Sequence, residues 1–441
     1  MNDTAWPLAF PSGLSSLAQR TAPLIIYNGP QCGNTTYGAA WPLEMSLYWN
    51  QGWGSGILSA IAANASLAFY RQLFGTLLAQ GMGSFTQDFL DFQSLLFPGF
   101  LTDPEGNAGW MAGQAGAAQE HGIALQYCMA LPADILQSAE FPAVTNARAS
   151  QDYGAGGGNW MIAESSLLLS ALRLGASKDN FWTGPRNDRG QETSPFLQAA
   201  IATLSSGPVG FADPLLGTNP AVLWPTCSSN GTLLHASRPA TRLDAYFSGA
   251  PPFAGWDVFA THSALGASGL RAYSFLAASN APALPPALTL HNFWPPPLVI
   301  PGTTAPGPTP RLLLHAFNAS GCGSGGPASA CVVELGGGGA APAPLPAPTG
   351  DKVPWMLWHA SPILDNGYAL LGEVGKYVPC SPARFLDVRS QGAAGVGVTL
   401  TGAPGEALRV AVYRPGSGSG AVVAVVQLVL GADGTLVTNI A

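Results

Sequence analysis

Short apolar runs alternate with segments of helical spacing between Pro23 and about Pro214. LIIY, residues 24–27, has the character of a buried strand. The segment from Ile61 to Gln80 has apolar side chains three and four positions apart and is followed by Gly81, which predicts a helix and its end. This alternation favours parallel strands joined by helices over an all-β fold, and such a repeat of strand and helix is typical of a (β/α) barrel.

The same alternation continues along the chain. Strands are predicted in SFTQDF (84–89), in Ile123 to Ala130, in Ala143 to Ser150, and at Phe181 and Trp182, and helices in roughly Trp160 to Leu174 and Pro195 to Leu204.

The composition changes after about Ala281. Ten prolines lie between Pro282 and Pro310, and GGGGAAPAPLPAPTG occupies residues 336–350, so these stretches are predicted to be linkers. Six short apolar runs surround them: LLLHAF, PWMLWHA, YALLGEV, GVTL, RVAVYR and AVVAVVQLVL. We therefore expect a barrel domain over residues 1–281 and a β-sandwich over 282–441, with Asp433-Gly434 forming a hairpin turn.

Charge is scarce, at 9% of residues, and the net charge is −7 with a pI near 5.3. The chain has no broad basic surface, so a nucleic-acid partner is not expected and a neutral ligand is favoured. The most apolar stretch, Ala421 to Leu430, is far shorter than a membrane span, which predicts a soluble protein. The N-terminus lacks the pattern of a signal peptide, whereas five N-x-S/T sequons are permissive of a secreted or luminal protein, so localisation stays open.

Metal and cofactor motifs are weak in this sequence. The six cysteines form no C-x-x-C pair and the six histidines no H-E-x-x-H, so no metal site is predicted. Cys322 and Cys331 flank a Gly- and Ser-rich loop, where a disulfide and two free thiols are both open. GAGGGNW (154–160) lacks the third glycine of a dinucleotide motif, and the glycines after Val332 precede prolines instead of a helix, so no cofactor is expected.

Two aspartates follow predicted strands. Active sites of parallel barrels lie at the carboxyl ends of the strands, where Asp88 and Asp152 are expected. Two carboxylates facing one pocket are what glycoside hydrolysis requires, one attacking the anomeric carbon and the other protonating the departing oxygen. The alternative is that both residues cap helices or turns, which is the role we expect for Asp91.

Six segments, in order, resemble the α-galactosidase clan of retaining glycoside hydrolases, and within it the raffinose synthases and alkaline α-galactosidases. FPSGL (10–14) is similar to the FP-x-GL segment before the third strand, FTQDF to the fourth-strand K-x-D element, and RASQDY to the sixth-strand R-x-S-x-D element. SKDNFW (177–182) resembles the Pro-Asp-Trp-Asp segment, SSGPVGFAD (205–213) resembles the eighth-strand GGP-x-x-x-SD, and the match continues through LLHASRPATRLD to Asp244.

The resemblance implies a TIM barrel followed by a β-sandwich, and activity on α-galactosides or related α-linked sugars. It places Asp88 on the nucleophile and Asp152 on the general acid/base, while Arg148 is expected to keep a neighbouring carboxylate ionised. Further candidate substrate-binding residues are Tyr27, Thr86, Tyr127, Trp160, Trp182 and Asp213. The aromatic members of this set are expected either to stack on sugar faces or to belong to the core.

The chain departs from the family pattern at three places. Thr86 stands where the family has lysine, and Gln151-Asp152 replaces an Asp-Asp pair. FPSGL begins ten residues from Met1, so the barrel is predicted to lack its first two strands, or the start is misassigned. These departures leave three alternatives: a transglycosylase that uses the same two carboxylates, an inactive carbohydrate-binding relic, and an unrelated β/α domain in which Asp88 and Asp152 lie far apart.

Overall fold

The computed structural model describes residues 10–21, 23–50, 54–154, 162–184, 192–243, 257–278, 311–317, 326–327, 332–335, 351–416 and 422–441. The chain divides into two compact units. The first comprises Met1–Arg148 with Ala171–Gly175, and the second comprises Ala149–Ser170 with Ala176–Ala441. Cys322 and Cys331 lie outside the described residues.

A parallel sheet forms the centre of the first unit. Its strands follow the order β1-β5-β6-β7-β8, and β8 begins in this unit at Gly175. The bounds are β1 Leu24–Asn28, β5 Met82–Gln87, β6 Ala124–Tyr127, β7 Val144–Arg148 and β8 Gly175–Ser177. The predicted alternation of strand and helix is confirmed here, because neighbouring parallel strands are separated in sequence by helical connections.

The helices of the first unit are α1 Leu14–Arg20, α2 Ala63–Ala79, α3 Leu90–Leu96, α4 Pro98–Thr102, α5 Pro104–His121 and α6 Pro132–Gln137. Helices α2 and α5 pack closely, and the Ser66 hydroxyl donates to the carbonyl oxygen of Trp110 at 2.7 Å. Gly113 allows this approach, since a Cβ there would lie 2.6 Å from the backbone nitrogen of Leu67. The buried rings of Phe74, Phe85 and Trp110 surround Tyr70.

An antiparallel sheet that the sequence did not predict follows β1. It consists of β2 Gln31–Cys32, β3 Leu43–Asn50 and β4 Gly54–Ile61, in the order β2-β4-β3. Met45, Leu47 and Ile57 are exposed on this sheet, whereas Ala60 and Ile61 at the end of β4 are buried. Apolar side chains therefore occupy exposed as well as buried positions, which obscures the in-and-out pattern by which a half-buried strand is recognised in a sequence.

The helices of the second unit are α7 Ile162–Ala171, whose last residue belongs to the first unit, α8 Pro195–Leu204 and α9 Pro220–Leu223. The expected strand at Phe181 and Trp182 is wrong in its position. Phe181 makes only an isolated parallel bridge to Phe211, whereas the regular strand β8 ends at Ser177. The segment resembling the family's eighth strand also pairs in parallel, through Ala176 and Ser206.

The described part of the second unit contains three antiparallel sheets. Their orders are β14-β12-β15-β11-β10-β9, β13-β20-β19-β16 and β17-β18-β21. The bounds are β9 Thr241–Arg242, β10 Asp257–Ala264, β11 Arg271–Ala278, β12 Leu312–Ala316, β13 Gly326–Pro327, β14 Val332–Leu335, β15 Trp355–Pro362, β16 Ala369–Glu373, β17 Phe385–Ser390, β18 Val396–Thr401, β19 Ala407–Arg414, β20 Val422–Val429 and β21 Thr435–Ile440. All six apolar runs predicted as strands are strands.

The hairpin predicted at Asp433-Gly434 is wrong. Local turn chemistry is present, since Gly434 has φ of 75° and the Asp433 carboxylate accepts from the backbone N–H of Thr435 at 3.0 Å. However, β20 pairs with β13 and β19, whereas β21 pairs with β18. The turn therefore joins strands of two different sheets.

The structure is thus an α/β protein with one parallel five-stranded sheet and separate antiparallel sheets. Strands β10 and β11 precede residue 281, yet β11 pairs with β15, which follows it. A barrel lacking its first two strands, a C-terminal sandwich and a domain boundary at residue 281 stay predictions. No helix in the described part of the chain is both long enough and apolar enough to cross a membrane.

Candidate active site

Asp88 lies directly after β5, at the carboxyl end of the parallel sheet of the first unit. Its side chain is only 7% exposed. The backbone N–H donates to the carbonyl oxygen of Asn28 at 2.8 Å, which ties this position to the end of β1. One carboxylate oxygen accepts a hydrogen bond from the Tyr27 hydroxyl, and the other accepts from the backbone N–H of Phe89 at 2.7 Å. Asp88 is therefore a buried carboxylate held through both oxygens.

Tyr27 is placed by strand pairing, because it stands opposite Thr86 in the register of β1 and β5. Its side chain is 58% exposed. Partial burial and the hydrogen bond to Asp88 raise the pKa of the Tyr27 hydroxyl well above its ordinary value, and the nearby Arg148 opposes this increase. The hydroxyl therefore stays protonated and donates to Asp88 at neutral pH. Stacking on a sugar, the predicted role of Tyr27, stays a prediction.

The backbone is strained beside Asp88. Phe89 and Met129, which follow the ends of β5 and β6, have φ angles of 56° and 48°, in the left-handed region that side chains larger than glycine rarely adopt. The carbonyl oxygen of Met129 accepts from the backbone N–H of Asp91 at 2.9 Å, which joins the two loops. Such strain costs on the order of 1 kcal/mol or more per residue and is concentrated at functional sites.

Two buried glutamines that the sequence did not single out support this strand end. The side-chain nitrogen of Gln87 donates to the backbone carbonyl of Asp88 at 3.0 Å, and its oxygen accepts from the Gln114 side chain at 2.8 Å. Both side chains are almost completely buried. A glutamine within a run of glycine and alanine, as Gln114 is in MAGQAGAA of α5, was the available signal, because a buried amide needs a specific partner.

Thr86 occupies the position where the resembled family has lysine. Its hydroxyl donates to the side-chain oxygen of Gln126 on the neighbouring strand at 2.9 Å. Arg148 ends β7 in the same unit and is half-buried, and its positive charge acts on Tyr27. The positive charge that acts on this strand end therefore belongs to Arg148 and not to residue 86.

Tyr127 lies in the interior, with no exposed side-chain surface. Its hydroxyl has no hydrogen-bond partner among the described residues, and burial raises the pKa of this hydroxyl well above its ordinary value. This placement agrees with the core alternative for Tyr127 rather than with a sugar-stacking role.

The other predicted site residues lie in the second unit, except Trp160, which lies outside the described residues. Asp152 is exposed. Trp182 is buried and meets the ring of Tyr153 edge-on, with centroids 5.4 Å apart. Asp213 accepts from the backbone N–H and the hydroxyl of Thr183, at 2.8 and 2.6 Å, which gives it a loop-fixing role in this structure.

Lys178 was not singled out by sequence reasoning, although it is one of only three lysines. It is 3% exposed, and its Nζ lies 4.9 Å from the ring centroid of Tyr153 and 5.5 Å from that of Phe181. Burial lowers the pKa of Lys178 to about 8, although Asp179 and Glu192 partly oppose the shift. The Tyr153 hydroxyl donates to Glu192, so Lys178 lies in a polar cluster that includes Tyr153, the residue directly after Asp152.

Asp88 and Asp152 belong to different units, so their predicted approach to within about 5 to 5.5 Å stays a prediction. Within the described ranges, no group of three or more histidine, cysteine, aspartate or glutamate side chains is arranged to hold a metal ion.

Comparison with known proteins gives similarity in structure but no match by family model or to a curated sequence. Among solved structures, the chain is similar to an α-galactosidase from Thermus thermophilus in complex with stachyose, with 19% identity and a TM-score of 0.33 over 48% of this chain. The match spans about half of that protein, 51% of its length. The resemblance of the sequence motifs to α-galactosidases, and to raffinose synthases among them, stays a prediction.

Proposed function

We propose that this protein is a retaining glycoside hydrolase of α-galactosides or related α-linked sugars. The observation that carries the proposal is Asp88, a buried carboxylate at the end of a parallel strand, with Tyr27 and a strained loop holding it in place. Each carboxylate oxygen has two lone pairs, so accepting one hydrogen bond leaves electron density for attack on carbon.

The proposed reaction is a double displacement. The carboxylate of Asp88 attacks the anomeric carbon as Asp152 donates a proton to the departing glycosidic oxygen, which leaves a glycosyl ester on Asp88. Asp152, now ionised, takes a proton from water as that water attacks the same carbon. The ester bond breaks, and Asp88 returns to its ionised form. Two inversions at one carbon retain the configuration.

Tyr27 supports this reaction by its position. The hydroxyl donates to the same carboxylate that attacks, so it keeps one oxygen oriented before the substrate arrives. Its bond to Asp88 weakens as the ester removes negative charge from the carboxylate, and it is restored when the ester is hydrolysed. Tyr27 is thus a positioning residue in this mechanism.

A second candidate is an inactive relic that binds carbohydrate. The neutral pair of Thr86 and Gln126 favours it, since no cation stands at residue 86 to hold a substrate hydroxyl. Transfer of the glycosyl group to an acceptor sugar is a variant of the first candidate, because a sugar hydroxyl then takes the place of water. Both candidates have a carbohydrate as the partner.

Hydrolysis of a 4-nitrophenyl α-galactoside tests the proposal. Asp88→Asn is expected to lower kcat at least about a thousandfold, since amide nitrogen and oxygen do not replace a nucleophilic carboxylate. Asp91→Asn is the matched control, because the Asp91 carboxylate accepts from the backbone N–H of the adjacent Phe92 and has no role in the proposed reaction. Saturable sugar binding by the unaltered protein without turnover would support the relic instead.

Asp152→Asn separates the acid from the nucleophile. The loss of activity in this variant is expected to be small for a 2,4-dinitrophenyl glycoside, because that leaving group needs no proton. For an alkyl glycoside the loss of activity is expected to be large. Equal losses for both substrates would remove Asp152 from the acid role. Product analysis with added acceptor sugar distinguishes hydrolysis from transfer.

A further inference from the structure

The segment that carries Asp152 is held on both sides by one residue of the loop after β8, Asp179. The backbone N–H of Asp179 donates to the Ser150 hydroxyl at 2.8 Å. The carboxylate of Asp179 accepts from the backbone N–H of Tyr153, also at 2.8 Å. All four residues belong to the second unit. Asp179 therefore contacts the chain just before and just after Asp152.

These contacts fix the two peptide units on either side of the Asp152 Cα. The Ser150 hydroxyl donates to the carbonyl oxygen of Gln151 at 2.9 Å, and that carbonyl belongs to the peptide unit that precedes Asp152. The N–H of Tyr153 belongs to the peptide unit that follows Asp152, and Asp179 accepts from it. With both units hydrogen-bonded, the backbone torsions of Asp152 are restricted, and with them the direction of its side chain.

The clamp is itself anchored in two places. The second carboxylate oxygen of Asp179 accepts from the backbone N–H of Asn180 at 2.9 Å, which fixes the rotation of the carboxylate. The Tyr153 hydroxyl donates to the buried Glu192, whose other oxygen accepts from the backbone N–H of Ser194 at 2.7 Å, at the start of α8. Movement of Tyr153 would break its contact with that helix start.

The Asp152 side chain is exposed, in contrast to the backbone that carries it. A general acid must reach its substrate and also point at the atom that it protonates, and an error of about 1 Å can cost about a hundredfold in rate. Hydrogen bonds to the flanking peptide units satisfy both needs, because they orient the carboxyl group without covering it.

We propose that Asp179 is a positioning residue for Asp152, which it directs toward the departing glycosidic oxygen by fixing the peptide units on both sides. This inference rests on the proposed glycosidase function, in which Asp152 is the acid. Asp179 takes no part in proton transfer. Its loss therefore weakens protonation of the leaving group and leaves the attack by Asp88 intact.

The dependence on the leaving group tests this role, because general destabilisation lowers all activities together. The value of kcat/KM covers the steps up to the glycosyl ester, in which the acid acts. We expect Asp179→Ala to lower kcat/KM at least about thirtyfold for methyl α-galactoside, but less than about threefold for 2,4-dinitrophenyl α-galactoside. Asp179→Asn keeps one acceptor oxygen for Tyr153, so its loss on the methyl glycoside should be smaller.

Asp433→Ala is the matched control. The Asp433 carboxylate holds an exposed turn of the same unit, where it accepts from the backbone N–H of Thr435 at 3.0 Å and from its hydroxyl at 2.7 Å. Its removal should leave kcat/KM unchanged for both substrates. If Asp179→Ala fails to fold, Ser150→Ala removes the other contact and should show the same selective loss on the methyl glycoside.

Hydrogen exchange of the full chain gives a readout that needs no activity. The amide of Tyr153 should exchange at least about tenfold faster in Asp179→Ala than in the unaltered protein, because its charged acceptor is lost. Equal losses for the two substrates, or unchanged exchange at Tyr153, would overturn the positioning role and leave the glycosidase function standing. No turnover of either substrate by the unaltered protein would overturn that function and the positioning role with it.

Discussion

Asp88 and Asp91 lie three residues apart and differ in what their carboxylates contact. Asp91 is in the first turn of α3 and accepts from the backbone N–H of Phe92 at 2.8 Å, as a residue at a helix start does. Burial, more than the nearby charge of Asp88, raises its pKa. Asp88 instead accepts from a residue sixty-one positions earlier, Tyr27. Only Asp88 is therefore joined to a neighbouring strand end through its side chain.

Tyr27→Phe tests the role of that contact. The change removes one hydrogen bond to a charged group and keeps the ring, so we expect kcat on an aryl α-galactoside to fall about 10- to 100-fold with little change in KM. Steady-state kinetics measure both values. Tyr368→Phe, in the second unit, serves as the control and should leave them unaltered. A change in KM alone would assign Tyr27 to substrate stacking instead.

Sequence predicts the position of Asp88 but not the contacts that define it. A polar residue that ends an apolar strand is visible in the local pattern, as at FTQDF. The bond from Tyr27 depends on the register between β1 and β5, and the support from Gln114 depends on how α5 packs. Both are non-local, so no window of sequence contains them. Lys178 was not predicted as a site residue for the same reason, because its burial depends on tertiary packing and not on the residues next to it in sequence.

At the scale of elements, helices α2 and α8 match the predicted segments closely. The apolar residues of α2 repeat at helical spacing, because one face of that helix is buried. Helix α8 is instead buried all round from Leu197 to Leu204. The pairing of β3 with β4 was not predicted, since several of its apolar side chains, Leu47 and Ile57 among them, are exposed. A turn joins β20 and β21 at the expected residues, but the two strands do not form a hairpin. Each strand joins a different sheet, because its pairing partners are strands distant in sequence.

A buried ion triad ties β16 to the turn that precedes β17. Arg384, with 1% of its side chain exposed, binds Glu373 at 2.7 Å and Glu406 at 2.8 Å. Burial alone would raise the pKa of Glu406, but the hydrogen bonds from Arg384 and from the backbone of Ser229 and Ala403 hold it at about 2.

Arg384→Met should destabilise the protein by about 3–5 kcal/mol, because it leaves two carboxylates buried without their partner. Denaturant unfolding gives the free energy. Arg389→Met is the matched control: this arginine is 54% exposed, and its ion pair with Asp387 should contribute less than about 1 kcal/mol. Equal losses for the two variants would show that the triad is not a stabilising element.

Across the whole molecule, the histidines set the response to acid. Burial lowers the pKa values of His235, His262 and His315 to about 4, and that of His359 falls well below its ordinary value. Four of the six histidines are thus held neutral in the folded protein. At these four positions the unfolded chain binds more protons than the folded one between about pH 6.5 and pH 4, so their contribution to stability falls as the pH falls through that window. Asp351, whose pKa burial raises to about 6, partly opposes this loss.

Thermal unfolding measured at a series of pH values tests this response. A histidine whose pKa is held at about 4, as that of His315 is, contributes on the order of 3 kcal/mol over the window, so Tm should drop below about pH 6.5. The variant His315→Gln should have a shallower dependence than the unaltered protein. A Tm that is constant between pH 6.5 and pH 4 would contradict the assignment of neutral buried imidazoles.

The identity of the nucleophile is the central claim, and trapping the glycosyl-enzyme tests it most directly. A fluorinated α-galactosyl fluoride that forms the ester quickly and hydrolyses it slowly is incubated with the full chain, and the labelled peptide is sequenced by mass spectrometry. We predict one equivalent of label on Asp88, in the peptide that contains FTQDF, and none with Asp88→Asn. Label on another carboxylate, or none on a protein that hydrolyses the aryl α-galactoside, would contradict the account.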